Sequence, residues 1–198
     1  MKKYFLTIIL FFSQVMMIFP QFTDTSNDVI TIPQKKSYLD IRSVNVESDH
    51  NYITVTLIMN GDIPQSNYYE TVSMEWDIMI DIDQNPATMT WRPWSESVND
   101  IGVEYMIGFK IHRDKLEGRF FNKGSEIDKT IPVKVDKNKI IIKLKNKELE
   151  NVDAFDFVVL ARKYVGYGNA NALVYYDKMP NRGHFTFFVN ENKTVYKK

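Results

Sequence analysis

Residues 76–86 read Trp76-Asp77-Ile78-Met79-Ile80-Asp81-Ile82-Asp83-Gln84-Asn85-Pro86. Apolar side chains occupy every second position from Trp76 to Ile82, and carboxylates occupy three of the four positions between and after them. Because side chains alternate between the two faces of a β-strand, this pattern predicts a strand with one core face and one acidic face. Asn85 and Pro86 are typical turn residues and predict that the strand ends just before them.

Similar strand signals recur along the rest of the chain. Turn residues separate them at 48–51, 136–138 and 180–183, and a single helical turn is predicted at Lys145–Glu150. Short strands with turns at intervals of roughly ten residues are typical of an antiparallel β-sandwich rather than of βαβ units. We therefore predict an all-β sandwich of about nine strands. The predicted strands cover residues 39–46, 52–59, 69–83, 103–112, 119–122, 131–135, 139–144, 155–164, 172–176 and 185–189.

The N-terminus has the features of a secretory signal peptide. Lys2 and Lys3 precede an apolar run that reaches Phe19, which is short for a membrane span of about 20 residues. No small-x-small cleavage site is evident near Pro20, so an uncleaved anchor is the alternative. We expect a secreted, periplasmic or cell-surface protein with no membrane span after signal removal. The expected organisation is a signal peptide at 1–20, a linker or loosely attached strand at 21–36, the sandwich at 37–190 and a polar tail at 191–198.

The composition of the chain limits the classes of partner and the sources of stability that we expect. The chain has no cysteine, so an exported form has no disulfide framework and depends on its core or on a metal for stability. Removing Lys2 and Lys3 from 25 basic residues leaves 23 against 25 acidic ones. This balance gives no general attraction to nucleic acid, which is not an expected partner. The sequence makes no prediction of the oligomeric state.

The strand and the loop that follows it are strongly acidic. Residues 68–104 contain eight carboxylates and a single base, Arg92. Asp81, Asp83 and Asn85 have the spacing that begins a helix-loop-helix calcium loop, but Pro86 and Arg92 break that motif at its glycine and glutamate positions. A strand-to-loop calcium site is one interpretation, with ligands drawn from Asp81, Asp83, Asn85, Glu104 and Asp177. The alternative is that Asp83 and Asn85 only cap the turn.

Aromatic residues follow the acidic turn. Trp91 and Trp94 flank Arg92 and Pro93, and exposed indoles are flat platforms for the C–H faces of sugar rings. One interpretation is a glycan site formed by Trp91, Arg92 and Trp94, with Tyr167 from a later turn. The other is that the indoles pack over an end of the sandwich, since tryptophans are mostly buried.

A second charged region is basic. Residues 129–147 contain seven lysines and one acid, Asp136. An anion-binding face is one interpretation. The alternative is a solvated or edge strand, because Lys139, Lys143 and Lys145 alternate with apolar residues and edge lysines prevent aggregation.

Catalysis finds little support in the sequence. There is no cysteine nucleophile, no Gly-x-Ser-x-Gly elbow, no phosphate-binding glycine loop and no His-Glu-x-x-His helix. His50, His112 and His184 fall on different predicted elements. We therefore expect a protein that is not an enzyme, and a carboxylate pair of a glycoside hydrolase ranks third among the functional interpretations.

Three short motifs occur in order along the chain. They are the Asp-x-Asp strand with its Asn85-Pro86-Ala87-Thr88 turn, Gly102-Val103-Glu104-Tyr105, and Asp177-Lys178-Met179-Pro180-Asn181-Arg182-Gly183. Together they resemble the motifs of the family 9 carbohydrate-binding-like and DOMON-like domains. The resemblance covers about residues 29–189 and supports fold better than ligand. Met89 and Asn181 depart from the usual glycine and aspartate.

The resemblance implies an immunoglobulin-like sandwich whose members bind sugars, sometimes with calcium or, in some branches, haem. No Met and His pair can be assigned as haem ligands here, so haem is not expected. The leading prediction is an exported, non-catalytic module that binds glycan or another cell-surface component, with a structural calcium. The alternative is a structural or protein-interaction domain of the cell envelope without a small ligand.

Overall fold

The computed structural model describes residues 22–23, 37–65, 73–88, 101–112, 115–122, 129–165 and 173–198. These residues form strands and two short 3-10 turns, at Pro86–Thr88 and Asn146–Leu149. The strands are β1 (Phe22–Thr23), β2 (Ile41–Ser48), β3 (Tyr52–Met59), β4 (Ser73–Asp81), β5 (Tyr105–His112), β6 (Lys115–Asn122), β7 (Lys129–Thr130), β8 (Val133–Asp136), β9 (Lys139–Lys145), β10 (Ala154–Val165), β11 (Leu173–Met179), β12 (His184–Phe188) and β13 (Lys193–Lys197).

The strands form two antiparallel sheets. The first sheet has the order β1-β2-β3-β9-β8. The second sheet has the order β13-β12-β10-β4-β5-β6-β7, and β11 also pairs with β10. Without the two-residue strands β1 and β7, the sheets have four and seven strands. The predicted all-β sandwich is therefore confirmed, with more strands than the nine expected.

Period-two alternation explains why these residues form the first sheet. In β3 every second residue is buried from Ile53 to Met59, and in β9 Ile140, Ile142 and Leu144 are buried between exposed lysines. These side chains pack in one core with Trp76, Ile78 and Phe157 of the second sheet. On this side of the first sheet, β8 is the edge strand and β9 is its neighbour. The lysines of β9 thus point away from the core, as the strand interpretation expected.

The central strand β4 is buried on both faces, which differs from the prediction. Its core face is where the alternation placed it, but Asp77 and Asp81 on the other face are only 3% and 0% exposed. A second apolar cluster lies on this outer face, and residues 101–103 contribute to it. Alternation within one strand does not reveal what covers the opposite face. The second cluster comprises Met79, Ile101, Val103, Met106, Val158 and Leu160.

An ion pair accommodates the carboxylate of Asp77 on this covered face. Arg162 of β10 lies beside it and donates a hydrogen bond to Asp77 Oδ2. Glu75 lies 3.6 Å from the same guanidinium and 3.3 Å from the Lys110 ammonium. Burial raises the pKa of Asp77, and the neighbouring Arg162 opposes that rise. A Cβ on Gly108 would clash with the Asp77 carboxylate, so glycine provides the space for it.

Hydrogen bonds join the two sheets along the side formed by β2. At one end the Ile41 N–H donates to Asp177 Oδ2 at 2.7 Å. At the other end the Ser48 hydroxyl donates to the Val189 carbonyl oxygen at 2.6 Å, and the Ser48 N–H donates to Asn192 Oδ1 at 2.8 Å. Both ends of one first-sheet strand are therefore held to the second sheet.

Two strands lie in the segments that flank the expected sandwich at 37–190. Within residues 21–36, expected as a linker or a loosely attached strand, Phe22 and Thr23 pair with β2. Within residues 191–198, expected as a polar tail, β13 pairs with β12 over five residues. Polar side chains are compatible with an outer strand, because its backbone hydrogen bonds do not depend on side-chain polarity.

The predicted signal peptide at 1–20 lies outside the described residues. In the described part of the chain, no helix is long and apolar enough to cross a membrane.

Replacing Asp177 tests the link between the sheets. The carboxylate is 1% exposed and accepts hydrogen bonds from the Ile41 and Lys178 N–H groups. We expect Asp177→Ala to lower the free energy of unfolding by about 2–4 kcal/mol, because two buried donors lose their acceptor. Chemical denaturation measures the change. Asp136→Ala removes an exposed carboxylate from β8 and should change stability by less than about 0.5 kcal/mol; equal losses in both variants would contradict the assignment.

Candidate functional site

Three carboxylates converge where β4 ends and β5 begins. Asp81 is the last residue of β4, Asp83 lies in the following turn, and Glu104 directly precedes β5. One oxygen from each residue lies within 4.8 Å of the others, and Asp81 and Glu104 are buried whereas Asp83 is exposed. We call this group, Asp81, Asp83 and Glu104, the acidic corner. Its spacing is that of oxygens that share one cation.

The turn after β4 is held by its own side chains. Asp83 Oδ1 accepts hydrogen bonds from the Asn85 N–H at 3.0 Å and from the Thr88 hydroxyl at 2.9 Å. Asn85 Oδ1 accepts from the Ala87 N–H at 3.1 Å. The capping bonds considered from the sequence are therefore present. They order the turn and leave Asp83 facing the other two carboxylates.

Residues 102–104 pack directly against this turn. The Gly102 N–H donates to Asp81 Oδ2 at 2.8 Å, and the Ile82 N–H donates to Glu104 Oε2 at 3.0 Å. A Cβ on Gly102 would clash with the carbonyl oxygen of Asn85. Glycine is therefore required for this close approach, which brings Glu104 to the end of β4.

The protonation of Asp81 reflects its surroundings. Burial raises its pKa to about 6, and the nearby Asp83 carboxylate adds to the rise, while the hydrogen bond from the Gly102 N–H opposes it. At neutral pH the negative charge of the buried Asp81 carboxylate lies close to the carboxylates of Asp83 and Glu104. A bound cation would relieve the repulsion between them.

A fourth carboxylate lies beside the corner and has partners of its own. Asp156 of β10 lies opposite Asp81 in the sheet register. Its Oδ1 accepts hydrogen bonds from the Thr186 hydroxyl at 2.5 Å and from Gln84 Nε2 at 3.0 Å, and its Oδ2 lies 3.2 Å from His184 Nε2. Sequence reasoning missed this residue, because nothing in the pattern of β10 shows which β4 residue it faces.

The remaining predicted site residues are placed differently. Asp177 does not join the corner: it lies opposite Ala161 on β10, whereas Asp81 lies opposite Asp156. Ala161 and Asp156 are five residues apart on β10. At roughly 3.4 Å per residue, this separation is about 17 Å along the strand. Asn85 lies in the turn with its side-chain oxygen bonded to Ala87. Trp91, Arg92, Trp94 and Tyr167 lie outside the described residues.

Comparison with known proteins adds no relative: no protein-family model, no curated protein and no solved structure matches the chain. The functional inference therefore rests on the geometry of the corner and on the sequence around it.

Asp81→Asn tests the electrostatic cost of the corner. Because the pKa of Asp81 is raised to about 6, the folded state binds more protons than the unfolded state between pH 3.8 and about 6. Stability therefore falls as the pH rises through that window. In the presence of a chelator at pH 7, we expect Asp81→Asn to increase the free energy of unfolding by about 1–2 kcal/mol. This increase corresponds to a rise in Tm of roughly 2–6 °C.

Thermal melts of both proteins between pH 4 and pH 7.5 make this measurement. The asparagine amide oxygen still accepts from the Gly102 N–H, whereas the amide nitrogen replaces the oxygen that accepts from the Asn85 N–H at 3.3 Å, so the shorter of the two hydrogen bonds is kept. Asp136→Asn, on the exposed edge, is the matched control and should follow the wild-type pH profile. A Tm difference between wild type and Asp81→Asn that does not change with pH would refute the electrostatic explanation.

Proposed function

We propose that the protein is an exported, non-catalytic β-sandwich module that binds carbohydrate and carries a structural Ca²⁺ in the acidic corner. The observation that supports this most directly is the convergence of Asp81, Asp83 and Glu104 within 4.8 Å, with two of the three buried. The sequence contains none of the catalytic motifs named above, and we therefore propose binding rather than catalysis.

Calcium suits the corner because it takes hard oxygen ligands at flexible geometry. Carboxylates from the end of β4, the turn and the start of β5 supply three ligand groups, and carbonyl oxygens or water would complete a shell of about 6–8 oxygens. The ion would neutralise repulsion among the three groups. It would also tie together chain segments that are 21 residues apart, from Asp83 to Glu104.

The corner also holds both ends of the segment that carries the candidate sugar-binding residues. Thr88, whose hydroxyl bonds to Asp83, precedes residues 89–100 in the sequence, and Gly102, whose N–H bonds to Asp81, follows them. Trp91, Arg92 and Trp94 lie in this segment. A cation in the corner would therefore couple metal binding to glycan binding. The resemblance to family 9 carbohydrate-binding-like domains agrees with this pairing of sugar and calcium.

Calcium should stabilise the fold. A ligand that binds only the native state at about 100 times its Kd adds about 2.7 kcal/mol, which corresponds to roughly 5–10 °C in Tm for a domain of this size. We expect this rise when CaCl₂ replaces EGTA in a thermal melt. Asp83→Asn should abolish the rise, while Asp136→Asn should keep it. An unchanged wild-type Tm would refute the structural calcium.

A glycan array tests the binding function. Wild-type protein should bind a defined set of neutral or charged glycans in CaCl₂. Trp91→Ala/Trp94→Ala should lose at least about tenfold in affinity for that set, because it removes the indoles on which we propose that the sugar rings stack. Replacing CaCl₂ with EGTA should also lower the affinity of the wild-type protein for these glycans. Absence of binding to any glycan would remove this function and leave the structural or protein-interaction domain of the cell envelope.

A further inference from the structure

A groove lies at one end of the first sheet, where the β2–β3 hairpin meets the 3-10 turn at Asn146–Leu149. It consists of two cavities of about 360 and 430 Å³, which share Tyr52 and Lys145 as lining residues. Cavities of this size suit small ligands or a few sugar rings. The first cavity is also lined by Ile131, Pro132, Lys143 and Leu144, and the second by His50, Asn51, Asn146, Lys147 and Asn151. We call the two cavities together the basic groove.

Lysines dominate the charge of this groove. Lys143, Lys145 and Lys147 are exposed, and no carboxylate among the described residues lies within 4.0 Å of their ammonium groups. The Lys143 ammonium lies 4.1 Å from the centre of the Tyr52 ring. The acids facing the groove are Glu148, which lines it, and Asp49 at the hairpin tip.

The carboxylate of Asp49 is already engaged by the hairpin backbone. Its Oδ1 accepts hydrogen bonds from the Asn51 and Tyr52 N–H groups, both at 2.8 Å. These two bonds lower the pKa of Asp49. Asp49 keeps its negative charge, so the three lysines face two carboxylates, Asp49 and Glu148, and the charge of these groups together remains positive.

The walls of the groove are held together by hydrogen bonds. The Asn146 N–H donates to the Asn51 carbonyl oxygen at 2.9 Å, and Asn146 Nδ2 donates to the Asp49 carbonyl oxygen at 3.0 Å. The Asn151 N–H closes the turn on the Asn146 carbonyl oxygen at 3.1 Å. The hairpin and the 3-10 turn therefore form one unit, so that a ligand meets a preformed site and less ordering opposes its binding.

We propose that the basic groove is a binding site for an acidic saccharide, a sugar chain that carries carboxylate or sulfate groups. The lysine ammonium groups would pair with the anionic substituents. The amides of Asn51 and Asn151 offer donors and acceptors for sugar hydroxyls. On the apolar floor Ile131 and Leu144 are buried and Pro132 is exposed, so the proline ring is the surface available to the C–H face of a sugar.

The shape of the site favours a saccharide over an anionic membrane. A membrane surface binds basic residues that protrude from a protein, whereas this site is concave and combines its lysines with amides and an apolar floor. The other lysines of the basic run, Lys134, Lys137 and Lys139, line neither cavity.

This site is separate from the one proposed around the acidic corner. It uses no residue of the corner and none of residues 89–100, so it requires neither calcium nor the indoles. Its success or failure can therefore be distinguished from that of the proposed function.

Isothermal titration of the protein tests the proposal with three probes of similar length: an oligogalacturonate, a sulfated heparin oligosaccharide and a neutral cello-oligosaccharide. The variant Lys143→Gln/Lys145→Gln/Lys147→Gln removes the lysines of the groove. Lys134→Gln/Lys137→Gln/Lys139→Gln removes the same charge from the same strand region and is the matched control. All six lysines are exposed, and thermal melts check that both variants fold.

We expect at least one acidic probe to bind, and the preferred probe distinguishes carboxylate from sulfate. The groove variant should bind it at least about tenfold more weakly, and the control variant within about twofold. Raising the NaCl concentration from about 50 to 300 mM should weaken binding severalfold, because exposed charges are screened. EGTA and Trp91→Ala/Trp94→Ala should leave this binding unchanged.

Four results would overturn the proposal. They are no binding of either acidic probe at millimolar concentration, equally tight binding of the neutral probe, equal losses in both lysine variants, and lysine-dependent binding to phosphatidylserine vesicles without binding to the oligosaccharides. Loss of binding in the Trp91→Ala/Trp94→Ala variant would instead assign the acidic saccharide to the segment after the acidic corner.

Discussion

The second sheet depends on a central strand that is buried on both faces and still carries carboxylates. A buried charge is stable only when neighbouring groups compensate for it, so each acid of β4 imposes a requirement on its surroundings. Asp77 has Arg162 from the adjacent strand and the space left by Gly108. Asp81 accepts hydrogen bonds from the Gly102 and Asn85 N–H groups, and burial raises its pKa in spite of the Gly102 bond.

The same requirement links stability to the proposed function. The groups that compensate for Asp77 are protein side chains, so that end of β4 is complete within the chain. At the other end, Asp81, Asp83 and Glu104 gather without a cationic side chain among the bonds described for them. A cation would complete this end, and the segment that follows begins and ends there. Under the proposed function, binding by that segment would then depend on an ion held by the acidic corner.

Strand patterns predicted the fold well where one face of a strand is buried. The alternation of lysines with Ile140, Ile142 and Leu144 in β9 identified the buried side chains correctly, because period-two patterns report which side chains share a face. The same logic placed Trp76 and Ile78 in the core. It did not foresee that residues 101–103 cover the other face of β4, since coverage depends on contacts between distant segments.

The sequence alone determined the class of fold, the core faces of β4 and β9 and the presence of a turn with carboxylates after Asp81, because local propensity and alternation specify these features. Only the tertiary structure decided which acids meet. Glu104 joins Asp81 and Asp83 because Gly102 allows a close approach to the turn, whereas Asp177 lies at another level of β10 and bonds to Ile41. Strand order and register bring together residues that are far apart in the chain, and neither can be read from the spacing of residues within one segment.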